Sequence, residues 1–469
     1  MIELSNESRM IATPWSRMVR GIGLGQYPVD YDPVAAEWVR RTFDQLSRRV
    51  SPANSYTLFA RHLSELILQV NDPNAFADVN ALLDPVLAAV RAEQNPYYRL
   101  MAGCILLDSF AKLQLDVPAD FPAEVLAGLD AIEPNAIKDE NSGRHGEYER
   151  LSACTAVFLA LGQLGLADRL VTAERNYIVE ALGLLEQIPA PFFRGRGGSM
   201  LLSVCYLLGY GEYVRTAERD HVEELLEYLD RADELELEPS FPSAMSALFP
   251  RIYPLVTLMN AIAMSGRAEY LTYRKDRLAE LRWLMGGITD TERTHMGLYY
   301  IVALHNLGRL DEQLPDLNGF VDSLVGQWKE IDPGEDYFLR GISYPYLIST
   351  AMVTGRLDLL TEETFDRLAD AYPDLERADA DRDNRPYPVS YALNMLGEIG
   401  EAGRLFRPRL RYDGRAPLQW VIERVSEDGV REGNRLYMLD HSLISYALRL
   451  RGANAPESEL FRDWKWQLA

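Results

Sequence analysis

Six times along this chain an arginine is followed fifteen positions later by a glycine, and the residues between them are mostly apolar. The pairs are Arg150/Gly165, Arg196/Gly211, Arg251/Gly266, Arg293/Gly308, Arg340/Gly355 and Arg385/Gly400. Fifteen residues of apolar character ending at glycine read as a helix with a left-handed terminator, because glycine carries no Cβ penalty at positive φ. Such a recurrence constrains the chain to a repeat of helices, each of which needs its neighbours to bury its surface.

The apolar stretches lie near 97–114, 147–164, 197–210, 242–265, 291–307, 336–354, 386–399 and 435–451. Between them run amphipathic stretches rich in Glu and Arg, such as Thr172 to Gln187 and Thr216 to Ala232. A helix apolar on most faces belongs inside, and one with a single apolar stripe belongs over it, so two layers of helices are expected. Gly165, Gly211, Gly266, Gly308 and Gly355 would turn the chain from inner to covering helix, with Asp168, Glu269, Asp311 and Asp358 three residues on, where an acid suits the next helix start.

Ahead of the repeats, Pro14 to Pro33 reads as a loop, and helical patterns follow near 34–48, 53–71 and 77–92. Residues 1–92 are therefore expected to pack on a repeat body spanning 93–469. Near its end, Leu418, Trp420, Ile422 and Val425 alternate as in a strand, and Asp428-Gly429 is a turn dipeptide, which predicts a small β-hairpin over 418–432. Arg435/Gly452 and Arg99 are shifted or incomplete end copies.

The formal charge of -22, from 70 acidic against 48 basic residues, argues against nucleic acid and anionic membranes as partners. No apolar run reaches the roughly 20 residues of a spanning helix and no secretory signal is recognisable, so a cytoplasmic location is expected. Cys104, Cys154 and Cys205 lie within apolar runs and read as reduced core residues.

The arrangement resembles the alpha/alpha toroid, the ring of helical hairpins shared by class II terpenoid cyclases, lanthionine cyclases and several glycosidase and epimerase families. The resemblance covers roughly residues 97–452 and implies an all-α ring of about six to eight hairpins. Class II cyclases protonate their substrate from an Asp-x-Asp-Asp motif; Asp379-Ala-Asp381 matches its first three positions, but Arg382 replaces the last aspartate and would favour the ionised carboxylate. Lanthionine cyclases hold zinc with two cysteines and a histidine, one Cys-His pair being adjacent, and no such pair exists here, so neither metal nor cofactor is expected.

In a closed ring the inner helices would bring Arg150, Arg196, Arg251, Arg293, Arg340 and Arg385 to one mouth. There they could bind a phosphate, diphosphate or carboxylate. A residue repeated at one structural position ordinarily serves the repeat instead, by pairing with acids of the next hairpin or with loop carbonyls. The run Arg194-Gly195-Arg196-Gly197-Gly198-Ser199 lacks the P-loop lysine and a preceding strand, yet it could wrap an anion at a helix start.

Aromatic residues follow the arginines at helical spacing: Tyr253, His295, Tyr387 and Tyr437 two positions on, and Tyr299, Tyr346, Tyr391 and His441 six positions on. They read either as core packing or as the wall of a cavity, with His295, Tyr387 and the Asp440-His441 pair as acid-base candidates. The leading expectation is metal-independent cyclase, isomerase or lyase chemistry on a small apolar molecule with an anionic group. A sugar-processing hydrolase, lyase or epimerase using Glu147, Glu149, Glu427 or Glu432 is one alternative. An open helical-repeat scaffold binding another protein is the other.

Overall fold

The computed structural model describes residues 79–113, 115–132, 146–189, 191–231 and 247–330, and shorter pieces between 343 and 425. The described residues are all-α, with no strand among them. They fall into two compact units, one of residues 118–327 and one of residues 79–117 together with those from 328 onward.

In the second unit, α1 (Val79–Ala92) packs against α2 (Pro96–Leu113). Asn95 sets the start of α2, its Oδ1 accepting from the backbone N–H of Tyr97 at 3.0 Å and of Tyr98 at 3.2 Å. Further on, Trp328 lies against Tyr344 with ring centroids 5.4 Å apart, and Gly355 turns with φ 71°.

The first unit alternates inner and covering helices. It opens with α3 (Phe121–Ala127) and continues with α4 (Gly146–Gln163), α5 (Tyr177–Leu184), α6 (Pro191–Leu207), α7 (His221–Asp230) and α8 (Phe249–Ser265). It continues through α9 (Arg277–Gly287), α10 (Asp290–Asn306) and, as far as Gln327, α11 (Leu317–Glu330). Helices α4, α6, α8 and α10 pack side by side, while α5, α7 and α9 lie over them. From Ala153 to Leu161 nearly every α4 side chain is buried, whereas α7 buries Val222, Leu225, Leu226 and Leu229 and leaves Glu223, Glu224 and Glu227 toward water. Full burial of such an aliphatic chain contributes about 1.5–3 kcal/mol, so the inner layer supplies most of the cohesion.

The inner helices are parallel, as the spacing of their contacts shows. Between α8 and α10 the touching pairs are Phe249 with His295, Tyr253 with Tyr299, and Asn260 with Asn306. Each pair is 46 positions apart in the sequence, a constant offset that only parallel helices give. Between α6 and α8 the pairs Phe192/Phe249 and Arg196/Tyr253 share an offset of 57. Gly195 makes the close approach of α6 to α8 possible, since a Cβ there would run into the Pro254 ring. Gly197 does the same toward Leu151 and Tyr148 of α4, and Gly198 toward Leu225 of α7. The glycine-rich run is therefore helical, and its three glycines are where neighbouring side chains approach closely.

Left-handed glycines end the inner helices as expected at Gly165, Gly266 and Gly308, with φ of 71°, 66° and 66°. In the α6 repeat the turn is made by Gly209 (φ 84°), and Gly211 instead begins a short helical turn, Gly211–Val214. Such a turn follows every one of these glycines: Ala167–Leu170, Ala268–Thr272 and Leu310–Gln313 are the others, and they carry Asp168, Glu269 and Asp311.

Two covering helices, α5 and α7, start later than their sequence pattern implied, because each is preceded by a tight turn. Thr172 N–H donates to the Arg175 carbonyl at 2.8 Å and Thr172 Oγ1 accepts from Arg175 N–H at 3.1 Å. Thr216 and Arg219 repeat both bonds at 2.8 and 3.0 Å. The next residue, Asn176 or Asp220, caps the helix, as does Asp276 in a third copy.

The cation before each cap ties two hairpins together. Arg175 reaches Glu180 of its own helix at 2.7 Å and Asp130, at the end of the preceding covering segment, at 2.8 Å. Arg219 pairs in the same way with Glu224 and Glu186, and Lys275 with Glu280 at 2.7 Å and Asp230 at 2.6 Å. Where Asp316 caps α11 the matching positions hold Pro315 and Phe320, and the series stops.

One expectation fails outright. Leu418, Trp420, Ile422 and Val425 lie on α12 (Pro417–Val425), a helix that buries Trp420 and Val421. Leu418, Trp420, Val421, Ile422 and Val425, five apolar residues in nine, fit either period, and burial of the adjacent Trp420 and Val421 decides for the helix. Residues 426–432 lie outside the described residues.

Candidate functional site

The described members of the arginine series are not all at one height. Arg251 and Arg293 are 42 positions apart where the helices are in register at 46, so Arg293 sits one helical turn nearer its helix start. Arg251 falls level with Arg194, and the residue level with Arg196 is Tyr253.

Each described arginine has its own task. Arg251 pairs with Glu280 of α9 at 2.5 Å. Glu280 also takes Lys275 and Arg277, and Arg277, fully buried, grips Asp230 with both nitrogens at 2.6 and 2.9 Å. Burial pushes the Asp230 and Glu280 carboxyls up, but the hydrogen bonds from these cations outweigh it and hold both below their ordinary values. Arg293 donates to the carbonyls of Met285 at 2.9 Å and of Gly286 and Ile288 at 3.2 Å, closing the end of α9. That satisfies orphan carbonyls, and Glu292 with Thr289 supplies a capping box for α10. Arg194 lies over the Tyr228 ring of the covering helix α7, its Cζ 4.0 Å from the centroid. Arg150 helps hold the Asp130 carboxyl down, behind the larger effect of the Arg175 hydrogen bond.

Arg196 differs. At 100° per residue it points about 200° away from Arg194, off the cover, and its Cζ stands 5.8 Å from the Tyr253 ring. It belongs to a stripe on α6, Phe192, Arg196, Met200, Ser203 and Leu207, whose spacings of four, four, three and four keep one face. Phe192, Arg196, Met200 and Leu207 remain half-buried while most of the helix is buried.

Around Arg196 the inner helices assemble a ring cluster. Phe192 and Phe249 are 6.4 Å apart, Phe249 and His295 5.7 Å, Phe192 and Tyr253 5.3 Å, and His295 and Tyr299 5.9 Å. The Tyr253 and Tyr299 hydroxyls lie 3.0 Å from each other. Burial among these rings pushes the His295 imidazole down to about 3. At neutral pH it is uncharged, a hydrogen-bonding group with no proton to give as an imidazolium.

Of the other expected site residues, Tyr346 is buried in the second unit. Glu149 is buried on α4 and Glu147 half-buried. Arg340, Arg385, Tyr387, Tyr391, Tyr437, Asp440 and His441 lie outside the described residues, as do Asp379, Asp381, Glu427 and Glu432. Cys104, Cys154 and Cys205 are buried, and desolvation raises all three thiols, Cys154 and Cys205 to about 12. Among the described residues no group of His, Cys, Asp and Glu could hold a metal ion, and no helix is long and apolar enough to cross a membrane.

Sequence reasoning missed Phe192, Phe249 and the amide pair Asn260/Asn306, whose Nδ2 to Oδ1 bond is 2.8 Å. It also missed the covering-layer ties, for which the twice-occurring Thr-Ala-Glu-Arg at 172–175 and 216–219 was a visible signal. No model of a known protein family, no curated protein and no solved structure matches this chain.

Proposed function

We propose that the chain is an α/α toroid whose inner face binds a small organic molecule with an apolar body and an anionic group, the anion lying against Arg196. The observation that carries this reading is the half-buried stripe of α6, opposite the cover, with a guanidinium 5.8 Å from the Tyr253 ring, itself in contact with the rings of Phe192 and Tyr299. A planar cation beside aromatic faces suits a carboxylate or phosphate attached to an apolar body. Cyclase, isomerase or lyase chemistry there would use the paired hydroxyls of Tyr253 and Tyr299, with neutral His295 orienting the ligand.

The test is a thermal-shift screen of octanoate, prenyl diphosphates and acidic sugars, on the wild-type protein and on Arg196→Gln and Arg293→Gln. A ligand at a hundred times its Kd stabilises by about 2.7 kcal/mol, a readable shift. The shift is expected to vanish in Arg196→Gln and to survive in Arg293→Gln, whose guanidinium serves carbonyls. Equal shifts in wild type and Arg196→Gln, or none for any compound, would overturn the reading.

One observation favours a scaffold instead. Trp283 on α9 is 60% exposed, and an indole left in water on a covering helix is a common anchor for another protein. If a copurifying protein is lost with Trp283→Ala while the screen stays silent, that reading replaces the first.

A further inference from the structure

The inner face has levels, and they are chemically unlike. The parallel register puts Arg196, Tyr253 and Tyr299 at one height, Met200, Thr257 and Ala303 at the next, and Ser203, Asn260 and Asn306 at a third. The middle level is apolar in effect, since the Thr257 hydroxyl donates to the carbonyls of its own helix at Tyr253 and Pro254. The third level is polar again through its two amides, the Ser203 hydroxyl donating to the Ser199 carbonyl of its own helix at 2.7 Å. Asn306 Nδ2 donates to Asn260 Oδ1, which leaves the pair an amino group on Asn260 and a carbonyl on Asn306 for a further partner.

Seven residues separate Arg196 from Ser203 on one helix, about 10 Å at 1.5 Å per residue. We infer that the ligand of this face carries, about 10 Å from its anionic group, a second group that both donates and accepts hydrogen bonds, such as a terminal hydroxyl or a primary amide. The inference rests on the reading of the inner face as a binding site. It narrows the ligand class to ω-functionalised acids, because a purely apolar tail would cover the amide pair without answering it.

Isothermal titration of the full chain with octanoate and its ω-hydroxy derivative tests this. Wild-type protein is expected to prefer the hydroxy acid about fivefold to tenfold, the worth of one hydrogen bond to a polar group that is otherwise covered. In Asn306→Ala, a change at the exposed end of α10 that leaves the Asn260 amide in place, the preference is expected to fall at least twofold while the affinity for octanoate holds. Asn260→Leu, which removes the other amide, should behave alike, and its melting curve reports whether it folds. Equal affinity of wild type for the two acids, or a preference untouched in Asn306→Ala, would overturn the inference and leave the binding site standing. Failure of both acids to bind wild type would remove the site itself, and the inference with it.

Discussion

The covering-layer turns and the inner-helix starts of the first unit both repeat a cation, and they use repetition differently. At the turns, Arg175, Arg219 and Lys275 recur together with their partners, a Glu five residues on and a carboxylate at the end of the previous segment. At the inner starts the arginine recurs but its partners do not: Arg194 stacks on a ring, Arg251 meets a glutamate, Arg293 closes a helix end, and Arg196 faces the aromatic cluster. Recurrence of a residue marks a shared role only when its partners recur with it. The inner layer is free to vary because parallel packing is already fixed by its apolar faces.

The comparison is most severely tested at Arg277, where the covering layer is buried. Arg277→Met would take from Asp230 its bidentate cation and from Glu280 one of its three, in a buried network, and a loss of about 3–5 kcal/mol is expected in urea unfolding. A loss below about 1 kcal/mol would mean that the buried network contributes no more than a surface pair.

In the inner layer, Gly195→Ala places a Cβ against Pro254 and Leu229 and should cost about 1–3 kcal/mol. Retained stability with altered packing of α6 on α8, read from hydrogen exchange, would show that the two helices slide.

His295 makes the inner layer sensitive to pH. Its folded pKa of about 3 lies below the ordinary value near 6.5, so the unfolded chain binds the extra proton and stability falls as pH drops from 6.5 toward 3. The slope expected from this group is at most about 1.4 kcal/mol per pH unit. His295→Gln should reduce the slope of the urea midpoint between pH 6.5 and 5, leaving the part due to His221, whose imidazole burial also lowers. That window lies above the range in which the lowered carboxyls of Asp130, Asp230 and Glu280 add a loss of the same sign. An unchanged slope would place the proton uptake elsewhere.

The smallest effect belongs to the exposed tie. Arg219→Ala should cost less than about 1 kcal/mol and less still in molar salt, because its partners Glu186 and Glu224 are solvated. A cost as large as that at Arg277 would erase the distinction between buried and surface rungs.

Helix content and the two-layer alternation were legible because apolar periodicity is a local property, and Gly165, Gly266, Gly308 and Gly355 sit where the terminator pattern put them. The α6 terminator was misplaced by two residues, since Gly209 and Gly211 both occur and only the backbone tells which one turns. The register was not legible. Intervals of 55 and 42 between arginines conceal offsets of 57 and 46, because loops of unequal length shift a residue along its helix without changing its helix. For the same reason His295 and Tyr299 could be placed on one face, but not beside Phe249 and Tyr253.

The absence of a fourth rung, where Pro315 and Phe320 replace cation and acid, has a mechanical consequence. Among these four starts, that of α11 can part from the preceding hairpin without breaking an ion pair of this kind, so within the first unit its loosening should be indifferent to added salt where that of the other three is not.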